Sequence, residues 1–114
     1  MFKIQLSPIA GYSDTQIHAS GDVLTIDGVA VDFSPLGEGE QCETSEPLIG
    51  FARRVGGVVY ITVRLEYKSA TAEPMQSTNF NDYIVNVSSG LIPDVIRRKP
   101  ATAPMEISNA ETSN

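Results

Sequence analysis

The stretch Val23-Leu24-Thr25-Ile26-Asp27-Gly28-Val29-Ala30-Val31-Asp32-Phe33 narrows the folds open to this chain more than any other. Asp27-Gly28 sits between two apolar runs, and both residues tolerate the positive φ that a two-residue hairpin turn demands. Such a turn sets Ile26 opposite Val29, Leu24 opposite Val31 and Asp22 opposite Phe33. Leu24, Ile26, Val29, Val31 and Phe33 then share one face, with Val23, Thr25, Ala30 and Asp32 on the other. A slip of one residue would send every apolar side chain to the wrong side.

A second hairpin is predicted over residues 49–67, turning at Gly56-Gly57. Its outgoing half alternates Val59, Ile61, Val63 and Leu65 with Tyr60, Thr62, Arg64 and Glu66, and is rich in the β-branched and aromatic residues that strands favour. Pairing Val55 with Val58 sets Arg53 opposite Tyr60 and Ala52 opposite Ile61. Arg54 falls on the apolar side near the turn, where its stem is expected to reach solvent. Weaker alternation marks three more strands. Phe2, Ile4 and Leu6 form one, ended by Pro8. Ile17 and Ala19 face one way within residues 15–20, and Tyr83, Val85 and Val87 within residues 82–88. Gly11-Tyr12-Ser13-Asp14 reads as the turn joining the first two strands.

No segment keeps a helical period for ten residues, and Pro93-Asp94-Val95-Ile96-Arg97-Arg98 allows one turn at most. Residues 34–47 and 68–79 read as long surface loops. The pattern is that of an all-β chain, a small antiparallel β-sandwich or barrel-like domain built from hairpins. With 114 residues there is room for one domain. It is expected over residues 1–98, with a flexible tail over 99–114, where few large apolar residues remain to offset the entropy of ordering. Met105 and Ile107 are the tail residues suited to docking on a partner or neighbouring subunit.

Charge and composition exclude more than they assign. The net charge of −6 disfavours binding to phosphate backbones. No apolar run reaches the roughly 20 residues that cross a bilayer, and residues 1–6 carry no signal-peptide pattern, so no membrane association and a cytoplasmic site of synthesis are expected. The single cysteine, Cys42, lies among Glu38, Glu40, Glu43 and Glu46, an environment that blunts a thiol. His18 stands alone on the polar side of its strand, and one His with one Cys makes no zinc site. The four glutamates lack the spacing of a calcium loop. Asp22, Asp27, Asp32 and Glu66 are accounted for by turns, hairpin ends and the solvent face. No catalytic residue, metal ligand or cofactor is expected, and the chain is not expected to be an enzyme. Arg53, Tyr60 and Arg64 form the one candidate interaction patch, a small basic-aromatic surface for which an Arg-on-Tyr structural contact is the simpler account. Arg97-Arg98-Lys99 reads as a solvated end.

Lys3-Ile4-Gln5-Leu6-Ser7-Pro8, Ser20-Gly21-Asp22-Val23-Leu24-Thr25-Ile26-Asp27-Gly28 and Asp32-Phe33-Ser34-Pro35-Leu36 with Glu38-Gly39 resemble a group of small uncharacterised proteins encoded by tailed bacteriophages and prophages. The similarity continues through Arg54-Val55-Gly56-Gly57-Val58 and Ile61-Thr62-Val63-Arg64-Leu65 and fades after Tyr67. It covers about the first two-thirds of the chain. Genes of that group tend to lie among those for tail and other virion parts, and the group has no assigned activity. The resemblance therefore implies a non-enzymatic accessory protein, associated with the virion or tail or with their assembly. Such a protein would act by protein contact or self-association in the bacterial host cytoplasm or within the virion. A phage factor that binds and modulates a host protein is the alternative.

Overall fold

The computed structural model describes residues 1–100. Nine strands form two sheets that share one apolar core, a β-sandwich. In chain order they are β1 (Phe2–Gly11), β2 (Ile17–Ser20), β3 (Val23–Ile26), β4 (Val29–Asp32), β5 (Gln41–Glu43), β6 (Leu48–Val55), β7 (Val58–Lys68), β8 (Ile84–Val87) and β9 (Ser89–Leu91). The larger sheet runs β5-β6-β7-β1-β8 and the smaller β4-β3-β2-β9.

The first hairpin has the register its sequence dictates. Ile26 pairs with Val29 and Leu24 with Val31, Asp27 and Gly28 both take positive φ, and Phe33 donates its N–H to Asp22 O at 2.8 Å. Ile17 and Ala19 of β2 join Leu24 and Ile26 in the buried face of the smaller sheet.

The second hairpin also turns at Gly56-Gly57 and pairs Val55 with Val58 and Arg53 with Tyr60. Further from the turn the expected register fails. Gly50, Phe51 and Ala52 together span what Ile61 alone spans on β7, a bulge made possible by Gly50 at φ +73°. Ala52 is still buried, while Phe51 is turned outward.

The centre of the larger sheet is a parallel pair, which a chain of hairpins does not foretell. β1 lies beside β7 from Phe2↔Val59 to Gly11↔Lys68, and β8 pairs antiparallel with β1 only at Phe2–Gln5. Pro8 does not end β1 as expected. Val59 N–H donates to Met1 O, so the odd residues of β1 turn their backbone groups toward β7 and the even ones toward β8. Beyond Gln5 that second side has no partner among the described residues. Pro8 therefore loses no ladder bond by lacking an N–H.

Two expected loops carry more structure than their composition indicates. Residues 34–47 include the short edge strand β5. β7 runs on to Lys68, and a 3-10 turn (Ser69–Thr71) follows, leading to Ala72, which is buried and bridged to Arg98. A second 3-10 turn (Phe80–Tyr83) precedes β8, which is shorter than expected, although Tyr83, Val85 and Val87 are buried as their alternation implies. β9 was not legible. The proposed turn of helix at Pro93-Asp94-Val95-Ile96-Arg97-Arg98 does not form. Asp94 instead accepts the Ile96 N–H and pairs with Arg98 at 2.9 Å, and these bonds hold the segment without a helical ladder. Gly11-Tyr12-Ser13-Asp14 joins β1 to β2 by crossing from one sheet to the other. Of the expected tail, Lys99 donates its N–H to Thr71 O, and residues 101–114 lie outside the described residues.

Arg98 ties the chain's last described segment to the β1–β2 crossing. It pairs with Asp14 at 3.1 Å as well as with Asp94. The Lys68 N–H, and then Arg98, hold the Asp14 carboxyl below its ordinary range, and Arg98 and the Ile96 N–H do the same for Asp94. Groups depressed in the folded state stabilise it above their unfolded pKa, and that contribution disappears as pH falls through the folded pKa. Stability is therefore expected to decline from about pH 4 downward. Asp14→Asn is expected to flatten part of that decline when urea midpoints are compared across pH. Ile4, fully buried at the centre of the parallel pair, gives a sharper test of β1's place. Ile4→Ala is expected to cost about 2–5 kcal/mol in urea unfolding, while exposed Lys3→Ala changes it by no more than about 0.5 kcal/mol.

Candidate functional site

The two sheets are joined differently along their two long sides. On one, β8 continues through Ser88 into β9, so the chain itself passes from sheet to sheet. On the other, the outermost strands are β4 and β5, and neither has a further strand beside it among the described residues. A cleft of about 840 Å³ opens between them.

The floor of this cleft is the edge of the sandwich core. Ile26, Phe33, Leu36 and Leu48 are buried in it, and Val29, on the same face of the hairpin, is 64% exposed at its mouth. Ile26, opposite Val29 and as near the turn, is buried, so the exposure of Val29 follows from its place on the edge strand β4. Cys42 pairs with Ala52, whose side chain points into the sandwich, so the exposed thiol stands on the cleft side of β5. The rim is acidic. Asp32, Glu40, Glu43 and Glu46 line the cleft, and none of the described residues lining it is a lysine or arginine.

One half-buried cation fixes the position of this edge. Arg54 does not send its head to solvent as expected. Its side chain is only 13% exposed, and its guanidinium donates to Leu36 O at 2.6 Å and Phe33 O at 2.9 Å and lies 3.5 Å from Asp22. It therefore fastens β6, in the larger sheet, to both ends of the hairpin in the smaller one. Glu38 anchors the same connection from the other side, accepting the Gly56 and Gly57 N–H groups at 2.5 and 2.9 Å, which hold its carboxyl below the usual range. A charged residue in an apolar register was the signal that marked Arg54; what it lacked was the partner, supplied by a connection far away in sequence.

The basic-aromatic patch is divided. Arg53 Cζ lies 5.1 Å from the centre of the Tyr60 ring, and Lys3 Nζ lies 5.8 Å from it on the outer face of the larger sheet. Arg64 is on the same face of β7 but roughly 13 Å further along, and is paired with Glu46 at 2.6 Å. Lys3 is the member that sequence reasoning missed, because only the parallel register Lys3↔Tyr60 brings it there.

The remaining candidates are dispersed. His18 is exposed on β2. Asp27 accepts the Gln16 N–H, Asp32 the Ser34 N–H, and Glu66 the Tyr12 and Ser13 N–H groups. Of the four loop glutamates, Glu38 and Glu40 bind backbone amides and Glu46 binds Arg64. Among the described residues no group of three or more His, Cys, Asp or Glu is placed to hold a metal ion, and no helix is long and apolar enough to cross a membrane. Compared with known families, curated proteins and solved structures, the chain matches none of them.

Removing the Arg54 head should loosen the cleft's far wall. Arg54→Met keeps the stem and leaves two carbonyls without their donor, and is expected to cost about 2–3 kcal/mol. Arg54→Lys, which keeps the charge but lacks the planar fork, should recover only part. Hydrogen exchange is expected to quicken at Leu36 and Gly39 in both variants before it does so in β1.

Proposed function

We propose that this chain is a non-enzymatic, phage-encoded accessory protein, associated with the virion or tail or with their assembly, which acts by binding another protein at its open edge. The observation that carries the contact role is the cleft between β4 and β5. Val29, Pro35 and Cys42 stand exposed there over a buried apolar floor, flanked by two strands with no outer neighbour among the described residues. Exposed apolar side chains beside unpaired strand edges form an arrangement by which sheets recruit a partner. The acidic, exposed side chains around it keep the same surface soluble when the partner is absent. The phage and virion setting is supported by the resemblance carried by the first hairpin and by residues 54–65.

Val29 offers a test that leaves the core alone, since it is exposed in the cleft and at the end of its strand. Phage particles produced with the wild-type chain are expected to contain it by mass spectrometry, and particles produced with Val29→Asp to contain far less. Absence of the wild-type chain both from particles and from complexes with particle proteins would overturn the virion role. A host protein bound to wild type and released by Val29→Asp would move the role to modulation of the host. Equal incorporation of both chains would overturn the cleft as the contact site.

A further inference from the structure

We infer that the occupant of the open edge is an extended segment of another protein, with apolar residues alternating with lysine or arginine, which adds to β5 as a further strand of the larger sheet. The inference rests on the reading of the cleft as a contact site and specifies the partner's chemistry.

The backbone of β5 sets the docking direction. Thr44 N–H donates to Gly50 O and Arg54 N–H to Glu40 O, so the even-numbered residues of this segment turn their backbone groups toward β6. In an antiparallel ladder the residues between them face the other way. Gln41 and Glu43 therefore present N–H and C=O groups along the outer edge, where no described strand takes them. A strand laid against that edge satisfies them and continues the sheet.

The side chains of such a strand would alternate between two different surroundings. Those on the inner face enter the cleft over Cys42, Leu48 and Val29, an apolar setting. Those on the outer face stand beside Gln41 and Glu43, which share their face with Arg53 and Phe51 across the ladder. The inner positions call for valine, isoleucine or leucine, and the outer ones for a cation.

Charge selects among possible occupants. The cleft's described lining carries four carboxylates and no cation, and the whole chain carries −6. A second copy of this chain would bring the same acidic rim against itself, a juxtaposition that costs free energy rather than gaining it. A basic alternating segment sets a cation beside Glu43 and brings the opposite sign to an acidic rim. The Ser34 N–H that Asp32 accepts holds its carboxyl below the usual range.

The same observations also fit a guarded edge, since short length and charge are how sheets avoid adventitious pairing. Fluorescence anisotropy with labelled synthetic peptides separates the two. The probes are alternating lysine–valine, glutamate–valine and lysine–serine peptides, titrated with the full chain. The lysine–valine peptide is expected to bind at least about tenfold more tightly than either of the others, and more weakly as salt is raised. Glu43→Gln, which keeps the backbone donor, should weaken it several-fold. Glu43→Pro, tolerated on an edge but lacking the outward N–H, should abolish it. Equal binding of the glutamate–valine peptide would overturn the basic partner while leaving the contact site standing. Undiminished binding to Glu43→Pro would overturn strand addition at β5. If no peptide binds, the edge is guarded and the inference fails, and the incorporation of Val29→Asp into particles then decides the contact reading on its own.

Discussion

Phe2, Ile4 and Leu6 lie beside Val59, Ile61 and Val63 in a parallel ladder, and all six are buried. Every other part of the sandwich takes its position from this pair. β6 hangs on the far side of β7 and β8 on the far side of β1. Phe2 also meets Phe33, at the end of the first hairpin, edge to face at 5.7 Å, so the central ladder reaches directly into the opposite sheet. Period-two alternation on both strands makes the register strict, because a slip of β1 by one residue against β7 would bury Lys3 and expose Ile4.

From that centre the two sides of the sandwich diverge. β8 and β9 close one side by covalent continuity. The other side is held by Arg54 and Glu38, two charged residues that bind backbone groups of the connections near it rather than each other. Bonds of this kind fix the spacing of the two sheets without filling the space between them. The result is an edge pinned along its walls by hydrogen bonds and open at its mouth.

Local patterning in the chain reported what depends on neighbours close in sequence. Asp27-Gly28 set the first hairpin to the residue, and alternation in β1 and β7 identified the buried side chains before their partners were known. What escaped reading depends on pairing across long separations. Pro8 looked like a stop because nothing local says that its missing N–H faces an unpaired side. Ala52 was set opposite Ile61 because nothing in a strand pattern counts the extra residues that Gly50 admits. The same limit applies to the candidate surface. Arg53 beside Tyr60 was legible from the hairpin, whereas the cleft arises from two strand edges on different sheets, and a three-residue strand such as β5 is too short to show a period.

The parallel ladder has a consequence for how the chain comes off the ribosome. β2, β3 and β4 can pair as soon as they emerge, since each meets its neighbour across a tight turn. β1 emerges earlier than all of them, yet its main partner follows more than half the described chain later. Contacts between residues so distant in sequence slow folding, and the apolar stripe of an early strand stays uncovered meanwhile. During synthesis β1 is thus the strand among these most in need of shielding, and a natural target for chaperones that grip extended, greasy peptides.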